Sequence, residues 1–357
     1  MNTILQSCDQ LSADLVNHVL AGKLPETVTD LTVTSLGEGV GLMSSIARAN
    51  LTFESGSQSS IIVKCAAQTD NKAFSKQLNF YFNEINFYRH LAHKTPLPSP
   101  KCLFADIDPE TQDFLLILED LGDAEAGDQL QGCTAEEMLL AFELAARMHA
   151  LYWGKTDEIS WLNYQNVESM TLFRRDAIFR PGVEPTIAAF PELFVDDLVD
   201  VVRKIGEQYA DLFNQAMSGP STLIHGDYRI DNMFLIRKSG ELEIIAVDWQ
   251  NTTGGNGLMD TAYFSAQSCG TEHRGDTELK ALRHYHDVLT DNGVKNYSFD
   301  QCVEHYRLNL LITMITPIAV CGTLDAGNER GDELGRRMLE RSLAALTSME
   351  CNQLLAR

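Results

Sequence analysis

His225, Gly226 and Asp227 stand side by side, Asn232 follows shortly after, and Asp248 ends the apolar run Ile244, Ile245, Ala246, Val247. These residue types can do phosphoryl chemistry. One acid can accept the proton of an attacking hydroxyl, while an amide and a second acid offer hard oxygen ligands to Mg²⁺. That is the minimum set for moving the γ-phosphoryl group of a nucleotide. Asp227 is the candidate base, carried in a loop just past a short strand. Asn232 can return to the same site as a Mg²⁺ ligand, and Asp248, at a buried strand end, suits a cation bridging nucleotide phosphates. His225 reads as a residue that holds the loop by hydrogen bonds rather than a proton shuttle. An isolated His-Gly-Asp would be weak evidence; HGDxxxxN followed by a strand-ending Asp is specific.

Groups suited to the nucleotide lie upstream. Gly37, Gly39 and Gly41 fall in the stretch from Ser35 to Ser44, between two predicted strands, where backbone N–H groups would cover phosphates. A Gly-rich hairpin turn explains the same residues equally well. Lys64 ends the strand-like run IIVK, and Glu84 sits on the helix that follows. A lysine held by such an acid is positioned to meet α- and β-phosphates; the lesser alternative is that Glu84 is a surface acid of that helix. LLILEDLG then leads out of the sheet, and backbone groups from Glu119 to Leu121 would form an adenine hinge.

The elements that must position these residues follow from periodicity. Residues 11 to 24 have helical spacing, closed by Pro25. LTVTSLG, SIARANLTF and SIIVKCAA alternate as three strands, one helix covers 74 to 93, and CLFADID with DFLLILEDL forms a hairpin. Beyond the connector 122 to 132 the chain turns helical. Thr134 and Glu137 open a helix with a capping box, another covers 192 to 217, and more fill 260 to 357. Short strands around a Ser-Gly turn carry the HGD loop and Asp248. The expected organisation is α+β and bilobal: an N-terminal helical extension (1–27), a small antiparallel-sheet lobe with one long helix (28–120) and a larger, mainly helical lobe (121–357).

The 357 residues carry 50 acids and 28 lysines and arginines, a formal charge of −22. Nucleic acid is therefore excluded as a partner, because binding it needs a basic footprint. No apolar run reaches the length of a membrane span; the longest, Leu308 to Cys321, is short and holds Pro317. The N-terminus lacks the pattern of a secretory signal. Eight scattered cysteines without a CxxC pair point to a reducing, cytoplasmic setting. His284 and His286 are two apart, so on a helix they face different ways and make a poor metal site.

Taken in order, the Gly-rich turn, strand Lys64, helix Glu84, LILEDL, HGDYRIDN and VDWQ resemble the aminoglycoside phosphotransferase/choline kinase-like superfamily over roughly residues 30 to 270. FNEINFYRHL, LEDL and the DWQ form look most like its ecdysteroid-kinase-like branch and bacterial relatives. The resemblance implies a protein-kinase-like fold, ATP and Mg²⁺ as cofactors, Asp227 as catalytic base, and Asn232 and Asp248 as Mg²⁺ ligands. It also implies that Asp260 braces the catalytic loop, a position where an N-cap role serves almost as well. Arg229 stands where protein kinases often carry a γ-phosphate lysine; it would do likewise or pair with a surface acid.

Two departures bear on regulation. HGD replaces the HRD of protein kinases, and no APE-type segment follows VDWQ, so control by loop phosphorylation and protein-kinase activity are disfavoured. The leading expectation is a small-molecule O-kinase acting on a substrate hydroxyl. The alternative is a catalytically silent nucleotide-binding protein on the same fold. Acidic stretches (DEIS, FVDDLVD, GNERGDE) would suit an amine, or are solvated faces. The aromatics Trp153, Trp161, Tyr164, Phe173, Phe190 and Tyr263 would line an apolar acceptor pocket, or are core. Acceptor identity, ATP against GTP and oligomeric state are left open by these patterns.

Overall fold

A computed structural model describes residues 3–36, 43–68, 71–122, 124–162, 168–323 and 329–355. By its contacts the chain divides into two compact units. The first is Met1–Ala124 with Ile245–Thr252; the second is Glu125–Ile244 with Thr253–Arg357.

The first unit opens with α1 (Ala13–Val19), capped by the Ser12 side chain, which accepts from the Leu15 N–H. Strands β1 (Val28–Leu36), β2 (Ser44–Phe53) and β3 (Gln58–Ala66) follow. Helices α2 (Asn71–Gln77) and α3 (Phe80–His90) precede β4 (Cys102–Ile107) and β5 (Phe114–Glu119). The sheet order is β1-β2-β3-β5-β4, with every pairing antiparallel. Alternation along the strands sends Ala49, Leu51, Val63 and Ile117 into a core that also takes Leu5, Leu11, Leu15, Val16 and Leu20. The N-terminal segment is thus packed into the sheet's own core. Gly37, Gly39 and Gly41 lie outside the described residues.

The single helix expected over 74 to 93 is instead two. Asn79 breaks it with a left-handed backbone (φ 57°), a conformation that asparagine tolerates better than most residues. The segment 245–252 joins this unit through contacts with it. Trp249 stacks on Phe87 of α3 (ring centroids 3.7 Å apart, planes 7° apart). The Ala246 N–H donates to the Pro98 carbonyl, and Asn83 Nδ2 donates to the Gln250 carbonyl.

The second unit is mainly helical. After the short β6 (Glu125–Ala126) comes α4 (Ala135–Tyr152), whose Thr134–Glu137 capping box is present as expected. Next are α5 (Glu168–Phe173), a π-helical turn at Arg174–Phe179, α6 (Arg180–Ala189) and α7 (Leu198–Ala216). The last begins later than the expected residue 192, because Pro191–Leu193 forms a separate 3-10 turn. Strand β7 (Thr222–Ile224) pairs antiparallel with β10 (Thr253–Gly255), while β8 (Met233–Lys238) and β9 (Glu241–Ala246) meet at Ser239 and Gly240, both at positive φ. Helices α8 (Leu258–Ser268), α9 (Asp276–Asp291), α10 (Phe299–Thr313), α11 (Ile315–Gly322) and α12 (Glu329–Ser348) complete it.

Among the described residues no helix is long and apolar enough to cross a membrane. All eight cysteines are free. His284 hydrogen-bonds Glu143 and His286 the Tyr297 carbonyl, so these two side chains go to different partners.

Candidate functional site

In the first unit the site is built around Lys64. Its place on β3, opposite Ile46 of β2 and Leu116 of β5, carries the side chain into the interior, and the residue is only 4 % exposed. A buried ammonium needs partners. Nζ lies 2.8 Å from the Glu84 carboxylate on α3 and 2.9 Å from Asp248 Oδ1. Burial works against the lysine's charge, yet Asp248 and then Glu84 outweigh it and hold its pKa above the ordinary value. Burial pushes Glu84 up to about 7, with Lys64 opposing. Glu84 is therefore an interior ion-pair partner and not a surface acid.

Asp248 reaches the lysine through an unusual backbone. Its φ of 63° and ψ of 62° are left-handed, a conformation that costs an L-residue of order 1–3 kcal/mol and persists where the surroundings impose it. Here Trp249, stacked on Phe87, and Gln250, whose carbonyl accepts from Asn83, fix the chain just beyond it. Gln250 Nε2 also donates to Asp248 Oδ2 at 3.2 Å.

In the second unit the HGD loop turns at Gly226, where φ is 81°. The Asp260 carboxylate on α8 accepts from the backbone N–H of His225 at 2.8 Å and of Gly226 at 2.9 Å. Helix α8 is capped by Gly257, so Asp260 braces the loop and does not serve as N-cap. His149 of α4 lies with Nε2 3.2 Å from the same carboxylate, and its Nδ1 is 2.9 Å from the Tyr285 hydroxyl. His225 is fully buried, and its Nδ1 accepts from the Asp227 N–H.

Asp227 and Asn232 meet directly. Asn232 Nδ2 donates to the Asp227 carbonyl at 2.8 Å and to its Oδ2 at 2.9 Å. The amide nitrogen is thereby committed, and the amide oxygen is what a cation would meet. Arg229 Nε lies 3.2 Å from Asp227 Oδ1, and its Nη1 donates to Gln129 Oε1 at 2.8 Å. Arg229 thus lies against two acids of its own loop, Asp227 and, at 3.8 Å, Asp231. Burial, then the charge of Asp227, holds the Tyr263 hydroxyl well above its ordinary pKa.

Other expected positions fall differently. Ser44 is buried at the start of β2, opposite Ala66. The Glu119 N–H donates to the Lys101 carbonyl, and its carboxylate accepts from the Lys101 N–H. The Leu121 carbonyl accepts from the Ala124 N–H. Of the aromatics proposed for an acceptor pocket, Trp153 packs on Tyr297 and Phe190 on Arg336, Phe173 is exposed, and Tyr164 lies outside the described residues. Tyr263 feels the charge of Asp227 in the HGD loop. The acids Asp197 and Glu333 bond to Asn352 and Arg337, as solvated faces do.

His149 and Gln129 are parts of the loop's support that sequence reasoning missed. His149 had a signal, since it extends the apolar α4 face of Ala141, Phe142 and Ala145, where a polar residue demands a partner. Gln129, in the connector, had none.

The donor set suits Mg²⁺. Carboxylate and amide oxygens are hard ligands, and Mg²⁺ takes only one or two from protein, leaving the rest to water and phosphate. Among the described residues no cluster of three His, Cys, Asp or Glu able to hold a metal occurs.

An antiparallel sheet that buries a lysine against a helix glutamate, followed along the chain by a mainly helical unit, is the protein-kinase-like phosphotransferase architecture. Comparison of folds agrees. A Ralstonia eutropha protein assigned as an aminoglycoside phosphotransferase matches 97 % of this chain and 98 % of its own, at 13 % identity and a TM-score of 0.54. A mutant aminoglycoside 2'-phosphotransferase-IIIa complexed with GDP matches over 94 % and 98 %, at 13 % identity and a TM-score of 0.55. In sequence, a kinase-like protein of Caenorhabditis elegans is 20 % identical over 288 residues, 74 % of this chain and 75 % of that protein. The chain belongs to the ecdysteroid kinase-like family, whose sequence model matches residues 38–296.

Proposed function

We propose that this protein is a cytoplasmic small-molecule kinase that transfers the γ-phosphoryl group of ATP to a substrate hydroxyl. The observation that carries the reading is the Asp227–Asn232 pair on a loop whose backbone is fixed by Asp260. Asp227 would take the hydroxyl proton as the acceptor oxygen bonds to phosphorus and the bond from phosphorus to the ADP oxygen breaks. Lys64, kept cationic by Glu84 and Asp248, would bind nucleotide phosphates. Asn232 and Asp248 would hold Mg²⁺, which when bound supplies neutralisation of the phosphate charge. Arg229 and Tyr263, both tied to Asp227, would orient its carboxylate.

Family membership and the phosphotransferase fold support a kinase. Aminoglycoside phosphotransferases of related fold are complexed with GDP, one of them with kanamycin as well, but likeness at 13 % identity does not transfer a substrate. The acceptor is proposed only as a small hydroxyl compound. The test is labelled ATP with Mg²⁺ and a broad panel of alcohols, sugars, aminosugars and sterols. Transfer of label to at least one acceptor, abolished in Asp227→Asn, is expected. Nucleotide binding without transfer to any acceptor would establish the silent nucleotide-binding alternative.

A further inference from the structure

The first unit holds a cavity of about 570 Å³ beside the end of α3, the start of β4 and the segment after α1. Four basic side chains line it: Lys23, Arg89, His93 and Lys101. No acidic side chain among the described residues lines it, although the chain carries nearly two acids for every lysine or arginine. Random placement on so acidic a surface would bring carboxylates to such a wall. Some of this charge is already used. Arg89 donates through Nε to the Ala105 carbonyl and pairs with Asp106, which sits just outside the cavity, and Lys23 donates to the Leu103 carbonyl. The rest of the wall is largely apolar, with Pro100 and Phe104 prominent.

A second observation points to a ligand. Tyr88 of α3 lines the cavity at 4 % exposure, and its buried hydroxyl has no hydrogen-bond partner. Proteins rarely leave a buried hydroxyl unpaired; burial, then the charges of Glu84 and Asp248, hold this one protonated, so it can serve as an O–H donor to a ligand oxygen. The cavity interior also feels those cations: burial pushes the Cys102 thiol up to about 11, with Lys23 and Arg89 pulling the other way.

We propose that this cavity binds a small organic phosphate, a monoester with its dianion among Lys23, Arg89 and Lys101 and its carbon skeleton on the apolar wall. The volume fits a metabolite-sized ligand. Binding there would be felt by the nucleotide machinery of the same unit, because Tyr88 stands one helical turn after Glu84, and Glu84 holds Lys64. The coupling, though not the binding, rests on the function proposed above.

The experiment uses the whole protein and phenyl phosphate as probe, by titration calorimetry at near-physiological salt, without ATP or Mg²⁺. Saturable binding is expected, weakened at least tenfold in Lys23→Gln/Lys101→Gln and several-fold in Tyr88→Phe, and retained in Lys64→Ala. Tyr88→Phe should melt at the wild-type temperature, since its hydroxyl bonds nothing. In a second arm, saturating phenyl phosphate should shift the Kd of a fluorescent ATP analogue at least threefold in wild type and not in the double variant. Absent binding, or binding lost in Lys64→Ala and kept in the double variant, overturns the site. Binding with no shift of nucleotide affinity overturns the coupling. The first arm needs neither nucleotide nor acceptor, so its failure is separate from a failure of the kinase reading.

Discussion

His149 reaches Asp260: its Nε2 lies 3.2 Å from the carboxylate Oδ2, and both residues are buried. The same carboxylate accepts two N–H groups of the HGD loop, so the histidine fixes the group that fixes the loop. Asp260→Ala strands both N–H groups, each at a cost of about 1–3 kcal/mol. It should lower the melting temperature and turnover together. His149→Gln keeps a hydrogen-bonding group near Asp260, and we expect lower kcat at nearly unchanged KM for ATP. Steady-state kinetics beside thermal melts separate the two effects.

Asp227→Asn keeps the shape of the side chain and removes its proton-accepting charge. Loss of a positioned general base lowers rates roughly 10²–10⁴-fold. Turnover should fall within that range while nucleotide affinity, read by a fluorescent analogue, stays within threefold. A variant of near wild-type activity would remove Asp227 from the chemistry.

Lys64→Met leaves the buried Glu84 carboxylate without its cation. Breaking such a pair from one side typically costs about 3–5 kcal/mol. Most of that loss should return in Lys64→Met/Glu84→Gln, whereas nucleotide binding should not. Urea unfolding of the wild type, both single variants and the double variant measures the coupling.

Burial raises Glu84 from 4.5 to about 7. An acid whose folded pKa exceeds its unfolded one favours the native state in its protonated form. That contribution is complete below about pH 4.5 and fades as pH climbs through about 7. Relative to Glu84→Gln, the wild type should therefore lose stability between about pH 5 and about pH 8. Chemical denaturation of both proteins across this range gives the slope, and equal slopes would refute it.

Removing divalent metal with EDTA should abolish transfer, and Mg²⁺ should restore it. Asn232→Ala should raise the Mg²⁺ concentration needed for half-maximal rate at least several-fold, since one oxygen ligand is gone. An unchanged Mg²⁺ dependence would take Asn232 out of the metal site.

Much of this was legible before any fold was known. Alternation placed β1 to β3, two apolar runs placed the β4–β5 hairpin, and the Thr134–Glu137 box marked the start of α4. The strand lysine and HGDxxxxN were readable because their chemistry tolerates few substitutes. Three things were not. The break at Asn79 arises from one left-handed residue within otherwise helical periodicity. The Glu119 carboxylate turns back onto the Lys101 N–H, a side-chain contact that the expected hairpin does not encode. Gln129 sits in an irregular connector, and only tertiary structure brings it to Arg229.

The octapeptide 245–252 belongs with residues that precede it by more than a hundred positions. A nascent chain released from the ribosome up to residue 124 would lack Trp249, the stacking partner of Phe87, and Asp248, the second counter-ion of Lys64. The sheet-bearing portion is thus finished only after about half of the mainly helical unit has been translated. Neither portion can be excised, swapped or permuted as one linear stretch without taking the lysine's environment apart.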